Sequence, residues 1–533
     1  MKPIDYSLYL VTGRNLLPPN KDFFTSLEES IQGGVTIVQL REKELDTHDF
    51  VDLAKKAKVI CDKYNIPLLI NDRVDVALAA NVDGVHVGQT DMPIEDVRRL
   101  LPPGSIVGLS CNTVAHVKDA VRLKVDYIGI GAVWGTQTKK LTQPIIGVRG
   151  VGAMLAELEG TNIKAVAIGG IKSTNLLRTL HGSVATNNRA LDGVAVVSDI
   201  VASTEPKAAA ERLQKIFQKF KQSHENHPLG LQDNLIGSQV TVGSVLNGVV
   251  QLVCQIREIN PLVHQITNTV VATQSANITL SIGASPIMAT EFREMADLAR
   301  ICSALLVNIG TIRHENVEGM LIAGVAANSY KKPVVFDPVG VGATSFRKET
   351  VRSLLDTWQA SVIKGNAGEL AALAGTTEVL SKGVDSVGSG FKDPEAFVKD
   401  LARRERCVVV LTGATDYISD GTSVVSIRNG DEILGRITGS GCMLGSCIAS
   451  YCAVATQIAQ ANANNSDADR TTMFQGDMFT AAIAGVLVLT VAAEIAVKRD
   501  DVKGPGTFLP ALIDVLWALT PEQVRESAKI IIK

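Results

Sequence analysis

The sequence predicts two successive α/β domains: a closed (β/α)8 barrel, then a second domain built on an open, mostly parallel sheet. Three observations carry this expectation. The chain has 533 residues, too many for one ordinary core. It is 46% hydrophobic with only 4% aromatics, the signature of an Ala/Val/Ile/Leu/Gly-rich α/β protein. Short apolar runs alternate with helical segments in two stretches, separated by the polar segment Lys221–Gly237.

In the first stretch, apolar runs at Ser7–Thr12, Thr36–Arg41, Pro67–Asn71, Gly84–Gly88, Ile106–Ser110, Tyr127–Val133, Ala165–Gly169 and Gly193–Ser198 read as strands. Helical segments such as Phe50–Tyr64 and Ala208–Phe220 separate them. Eight such units in about 220 residues fit a TIM barrel, which places chemistry at the C-terminal ends of its strands. Leu180–Asp192 reads as a surface insertion.

The second stretch opens with helical periodicity over Thr241–Glu258. Strands are expected at Leu305–Ile309, Pro333–Asp337, Ser361–Lys364, Val408–Thr412 and Ser423–Ile427. Thr273–Ile282 and Gly439–Ala455 read as helices. The apolar run Ala481–Ala493 is short for a membrane span and reads as a buried helix. Ala459–Asp469 is polar and low in complexity, so a mobile loop is expected. The domain boundaries that follow are 1–222, a linker at 223–238, and 239–533.

A net charge of −3 gives no reason to expect nucleic acid or an anionic membrane as partner. The eight cysteines form no C-x-x-C pair or Cys/His knuckle, so reduced cytoplasmic thiols are expected rather than structural zinc. The start of the chain shows no basic-then-apolar signal.

Gln39, Arg41 and Lys43 alternate at a strand end and so point to one side. Arg grips phosphate oxygens bidentately and Lys supplies a point charge; a buried ion pair is the alternative. Asn71, Asp72 and Asp91 end two later strands. Two carboxylates and an amide are hard-oxygen ligands suited to Mg2+ on a pyrophosphate, although Asn-Asp alone is commonly a turn. Thr136, Thr138 and Lys139 follow the sixth strand and can hold phosphate, or form a plain polar loop. Backbone N–H groups at Gly169-Gly170 and Val197-Ser198, ending the last two strands, can cup a second phosphate. In the second half, Gly439-Ser-Gly-Cys442 heads a small-residue helix whose N–H groups can converge on a transferring phosphoryl group; close helix packing is the alternative. Asp337 ends a strand and Glu369 follows one; both are Mg2+ candidates through water, or helix N-caps.

The first 220 residues resemble thiamine phosphate synthase. The resemblance lies in Gln39-Leu-Arg-Glu-Lys43, Ile70-Asn-Asp72, Gly84-Val-His-Val-Gly-Gln-Thr-Asp91, Gly108-Leu-Ser110, Thr136-x-Thr-Lys139, Ile168-Gly-Gly-Ile171 and Gly193-Val-Ala-Val-Val-Ser198. It implies that Gln39, Arg41, Lys43, Asn71, Ser110 and Lys139 contact hydroxymethylpyrimidine pyrophosphate. It implies Mg2+ on Asp72 and Asp91, and thiazole phosphate at Thr136, Thr138, Gly170, Val197 and Ser198. Gly131-Ala-Val-Trp134 departs from the family's usual Gly-Pro.

From about Thr241 onward the chain resembles hydroxyethylthiazole kinase, a ribokinase-like family. The matching motifs include His264-Gln-Ile-Thr-Asn268, Ser285-Pro-Ile-Met288, Asn308-Ile-Gly-Thr311, Asp337-Pro-Val-Gly-Val-Gly-Ala343, Gly365-Asn-Ala-Gly-Glu369 and Thr438-Gly-Ser-Gly-Cys442. The resemblance implies thiazole binding at Asn268, Val270, Met288 and Gly439, and ATP contacts at Lys364 and Thr412, where Lys364 replaces the family's usual Arg. The matching catalytic position is Cys442, as base or as positioner of the hydroxyl, with the helix N-terminus expected to lower its pKa. It also implies Mg2+ in both halves, ATP as phosphoryl donor, small phosphorylated substrates, and trimers that can pair into hexamers. Two other readings are a retired half serving as regulator or scaffold, and a shifted specificity: a thiazole tautomerase-like barrel or a pyrimidine or pyridoxal kinase. Retention of Asp72, Asp91, Lys139, Glu369 and Cys442 argues against the first, and the full Asn71-Asp72 and Thr136-x-Thr-Lys139 sets favour a synthase over a tautomerase; a substrate panel decides the kinase specificity.

Overall fold

The computed structural model describes the chain apart from residues 1–3, 137, 139–142, 227–239, 378, 383–384, 388–389 and 463–471. It divides into two compact units, Met1–Pro228 and Leu229–Lys533.

The first unit is a closed eight-stranded parallel barrel: β1 (Leu8–Val11), β2 (Ile37–Leu40), β3 (Leu68–Asn71), β4 (Gly84–Val87), β5 (Ile106–Cys111), β6 (Tyr127–Ile130), β7 (Lys164–Ile168) and β8 (Gly193–Val196). The strands are near-continuous apolar runs because both faces are covered. One set of side chains packs outward against helices, among them Leu8, Val38, Leu68, Val85 and Ile128. The alternate set fills the interior, with Tyr9, Ile37, Leu69, Ile106, Tyr127 and Val166.

Two sequence expectations in this unit are corrected. The last helix of the barrel, Pro206–Asn226, continues through residues expected to be linker. No Gly or Pro occurs between Pro206 and Pro228, and Phe220 stacks on His224 one turn later. Leu180–Asp192 is not all surface insertion. Leu180 belongs to the helix Leu176–Gly182, and Val184, Ala185 and Leu191 are buried in the core. Thr186–Asn188 alone forms an exposed tip.

The second unit holds a nine-stranded sheet and a small hairpin. Its strands are β9 (Leu262–Ile266), β10 (Ser285–Ile287), β11 (Ala304–Asn308), β12 (Val334–Asp337), β13 (Val362–Asn366), the hairpin pair β14 (Leu380–Lys382) and β15 (Asp385–Val387), then β16 (Val408–Thr412), β17 (Asp416–Ser419), β18 (Val424–Ile427) and β19 (Ile530–Ile532). The sheet order is β10-β9-β11-β12-β13-β16-β17-β18-β19, parallel from β10 to β16 and antiparallel beyond. The expectation of a mostly parallel sheet holds. The sequence reading missed β9, β10, β17 and β19 of the sheet and the hairpin pair β14 and β15, which are short or rich in polar residues.

The helices Ser440–Asn462 and Met478–Ala496 are long and apolar enough to cross a membrane by length and composition. Within this unit, 78% and 89% of their apolar windows are buried, which makes them core helices. Ala459–Asn462 is thus the end of a helix rather than a loop, and residues 463–469 lie outside the described residues.

Candidate functional sites

At the barrel mouth, β2 delivers Gln39 inward and the following residues carry Arg41 and Lys43. Gln39 is buried, and its Nε2 donates to Tyr9 Oη at 2.8 Å. The Arg41 side chain is half-buried and makes no hydrogen bond or ion pair among the described residues. Lys43 is exposed and pairs with Asp72. Asn71 ends β3, and Asp72 turns the chain at φ +61°, a left-handed geometry that Asp tolerates better than most residues. Asp91 accepts Gly88 N–H at 2.8 Å. Its carboxyl is raised by burial and then by the adjacent Asp72 carboxylate.

Ser110, on β5, lies 2.9 Å from His86 Nε2. Thr136 and Thr138 share a turn in which Thr138 N–H donates to Thr136 Oγ1 at 3.2 Å. Lys139 lies outside the described residues. The Gly131–Ala132 peptide is cis, in the segment that departs from Gly-Pro. Gly169 and Gly170 have φ of +102° and +66°. A Cβ on Gly170 would lie 2.5 Å from Gly135 O and 2.7 Å from Trp134 Cβ, so only glycine lets the two loops meet. Val197 and Ser198 begin the short helix Ser198–Val201 beside β8.

In the second unit, the C-terminal ends of β9, β11, β12 and β13 converge on the start of the helix Ser440–Asn462. Asn268 Nδ2 donates to Asn308 Oδ1 at 3.0 Å and to Cys442 Sγ at 3.3 Å. Asn308 Nδ2 donates to Asp337 Oδ2 at 2.7 Å and to the same sulfur at 3.3 Å. Asn268 Oδ1 accepts from Val270 and Val271 N–H at 3.1 and 3.3 Å, which holds that turn over the cysteine. Gly439 has φ +82°, and a Cβ there would run into Val271. Met288 is half-buried just past β10.

Lys364 is buried; its Nζ lies 2.9 Å from Asp337 Oδ1 and 3.0 Å from Gly441 O. Burial pushes the ammonium down, but Asp337 and then Glu369 outweigh it, so Lys364 is held above its ordinary value and stays charged. Thr412 lies on β16 opposite Asn366. Glu369 realises the capping alternative: Asn366 caps the helix Ala367–Ala374, and Glu369 Oε2 accepts Asn366 N–H at 2.9 Å. Its Oε1 accepts Gly340 N–H at 2.9 Å. Burial, then Asp337, pushes Glu369 up to about 7.

One electrostatic expectation is overturned. Cys442 is raised above the ordinary thiol value, chiefly by burial and then by Asp337, and is not lowered by the helix N-terminus. Burial and a neighbouring carboxylate outweigh the partial charge of one helix end, so the sulfur rests as a thiol.

The comparisons with known proteins follow this division. Residues 8–200 match the family model described as thiamine monophosphate synthase, and residues 253–522 match the hydroxyethylthiazole kinase family. The probable thiamine biosynthetic bifunctional enzyme of Schizosaccharomyces pombe is 37% identical over 98% of this chain and 97% of its own length. The chain belongs to the bifunctional thiamine biosynthetic enzyme family. The Saccharomyces cerevisiae thiamine biosynthetic bifunctional enzyme is also 37% identical over the same shares. The hydroxyethylthiazole kinase of Histophilus somni is 42% identical over 52% of this chain and 98% of its own length. This chain is thus a thiamine phosphate synthase fused to a hydroxyethylthiazole kinase, and the kinase family implies use of ATP.

Both halves of this bifunctional enzyme carry facing carboxylates. Among the described residues no group of three or more His, Cys, Asp or Glu could hold a metal ion. Mg2+ on a substrate phosphate needs only one or two carboxylates. Asp72 and Asp91 fit, because their mutual repulsion raises Asp91 and a cation would offset it. Asp337 and Glu369 also repel one another, but the described hydrogen bonds already engage all four of their oxygens, so they fit a hydrated ion held through water.

The sequence reading assigned no role to Asn308, Asp416, Tyr9, His86 or Tyr127. Asn308 and His86 sit inside motifs already singled out. Asp416, buried on β17 with Gly413 N–H on its Oδ1 at 3.0 Å, follows Thr412-Gly413 by three residues. The two tyrosines looked like ordinary strand residues.

Proposed function

We propose that residues 239–533 phosphorylate hydroxyethylthiazole with ATP and that residues 1–222, joined through 223–238, condense the product with hydroxymethylpyrimidine pyrophosphate. In the kinase half, Asn268, Val270, Met288 and Gly439 hold the thiazole, and Lys364 and Thr412 lie toward ATP. Backbone N–H groups at the start of the helix Ser440–Asn462 receive the transferring phosphoryl group. Cys442 faces the substrate hydroxyl, as its base or its positioner. Mg2+, held through Asp337 and Glu369, would neutralise phosphate charge.

In the synthase half, Gln39, Arg41, Lys43, Asn71, Ser110 and Lys139 bind the pyrimidine pyrophosphate, with Mg2+ on Asp72 and Asp91. The electron-rich aminopyrimidine expels pyrophosphate, leaving a stabilised cation at its methylene carbon. Arg41 and Lys43 take up leaving-group charge. The thiazole nitrogen then bonds to that carbon, its phosphate held by Thr136, Thr138, Gly170, Val197 and Ser198. No protein base is needed. Trimers that pair into hexamers and a cytoplasmic setting belong to this proposal.

The convergence of Asn268, Asn308, Asp337, Lys364 and Cys442 on one helix start, in a chain whose other half carries Arg41, Asp72 and Asp91 at a barrel mouth, is the observation that supports this reading. The test supplies ATP, Mg2+, hydroxyethylthiazole and hydroxymethylpyrimidine pyrophosphate, and follows ADP, pyrophosphate and thiamine phosphate together. All three should form. ADP without thiamine phosphate, even with thiazole phosphate supplied, would remove the barrel's assignment.

A further inference from the structure

Inside the barrel, beneath the mouth, five polar side chains from five strands form one continuous chain of hydrogen bonds. Gln39 Nε2 on β2 lies 2.8 Å from Tyr9 Oη on β1. Tyr9 Oη lies 2.7 Å from Tyr127 Oη on β6, and Tyr127 Oη lies 2.8 Å from His86 Nδ1 on β4. His86 Nε2 is 2.9 Å from Ser110 Oγ on β5. Its two ends, Gln39 and Ser110, are residues assigned above to the pyrimidine pyrophosphate. The three in the middle are buried, and the reaction as written does not use them.

Space is reserved for these rings. A Cβ on Gly108 would lie 2.1 Å from Tyr127 Cζ, and one on Gly129 would lie 3.1 Å from His86 Cε1. Glycine on β5 and β6 is thus what lets two large polar rings occupy the barrel interior. A polar chain in an apolar interior persists only if every proton has an acceptor.

That requirement sets the direction of the chain. The Gln39 amide nitrogen only donates, so Tyr9 Oη accepts from it. Tyr9 then gives its proton to Tyr127, Tyr127 gives its proton to His86 Nδ1, and His86 donates from Nε2 to Ser110 Oγ. The reverse order would leave the Tyr9 proton without an acceptor among the described hydrogen bonds. Burial holds both phenols well above their ordinary pKa, so both protons stay in place. With its oxygen already accepting from His86, Ser110 keeps its own proton for an outside acceptor.

We infer that Tyr9, Tyr127 and His86 are positioning residues of the synthase half, a one-way relay that fixes His86 as the Nε2–H tautomer and presents Ser110 as a hydrogen-bond donor to the pyrimidine pyrophosphate. This rests on the assignment of Ser110 and Gln39 given above. The relay acts through Ser110, and that is what the experiment reads.

The test is a double-mutant cycle on the full chain, supplied with thiazole phosphate and pyrimidine pyrophosphate, with pyrophosphate release followed. Tyr127→Phe and His86→Asn should each lower synthase turnover about tenfold, the usual scale for losing one buried hydrogen bond at a site. His86→Gln, whose amide N–H can reach the Nε2 position, should retain more turnover than His86→Asn. KM should rise for the pyrimidine pyrophosphate and not for thiazole phosphate. In a Ser110→Ala background neither Tyr127→Phe nor His86→Asn should lower turnover further. An undiminished loss in that background, equal impairment of His86→Gln and His86→Asn, or equal changes in both KM values would overturn the relay. Thermal unfolding of each variant shows whether the barrel has kept its fold. Absence of pyrophosphate release by the unmodified chain would instead overturn the synthase site assignment, and the relay with it.

Discussion

Cys442 sits where two asparagine amides, Asn268 and Asn308, both donate to its sulfur. Burial keeps the thiol protonated at rest. Phosphoryl transfer draws most of its rate from charge stabilisation and alignment rather than from a base. Cys442→Ala should therefore keep measurable ADP formation with hydroxyethylthiazole; complete loss in a folded protein would make the sulfur indispensable. Lys364 has a different weight. It is the charged partner of the buried Asp337, and Lys364→Met would strand that carboxylate. The expected cost is roughly 3 kcal/mol of stability, read from urea unfolding, with Lys364→Arg retaining the charge but straining the fit. Glu369 and Asp416 are both pushed up to about 7, chiefly by burial. The folded chain thus holds protons that the unfolded chain has already released. The stability these groups contribute is fully present below the ordinary carboxyl range and is lost as pH rises through about 7. The unfolding midpoint should fall between pH 5.5 and 8, and a Glu369→Gln, Asp416→Asn double variant should flatten that slope; an unchanged slope would contradict the assignment.

At the scale of elements, glycines at strand and loop ends shape both sites. Gly439 carries φ +82° against Val271, so Gly439→Ala should weaken thiazole binding in the kinase assay. Val271→Ala should restore part of the loss by removing the collision, but not all, because the backbone strain remains. No restoration would mean that strain alone sets the cost. The barrel strands were legible as sequence because each is an apolar run bounded by turn residues and buried on both faces. β9 and β17 were not, since Leu-Val-His-Gln-Ile and Asp-Tyr-Ile-Ser mix polar residues into short strands. On β9 the buried Gln265 finds partners on other elements, Thr279 and Ser446 at 2.7 and 2.9 Å, whereas Asp416 on β17 is bonded locally by Gly413 N–H at 3.0 Å. The helix Pro206–Asn226 outran its expected end for a related reason. Its final turn is polar, and His224 lies 3.1 Å from Asn188 O on a distant loop.

For the whole molecule, each half has its own sheet, core and convergent site, so each step has its own machinery. We propose that joint production of two consecutive enzymes, rather than transfer of a captive intermediate, accounts for the fusion. Unlabelled thiazole phosphate added to a coupled reaction from labelled hydroxyethylthiazole should therefore dilute the label in thiamine phosphate in proportion to its concentration. Label that resists dilution would establish channelling.

Sequence alone determined the two-part α/β plan, the barrel and the positions of Arg41, Asp72, Asp91, Asp337, Glu369 and Cys442. Strand periodicity and residue chemistry are local properties, written within a few neighbouring positions. Tertiary structure decided that Cys442 rests as a thiol, that Lys364 is paired with Asp337, and that Tyr9, Tyr127 and His86 link Gln39 to Ser110. Those outcomes depend on desolvation and on partners from distant strands, and no local pattern in the chain encodes either.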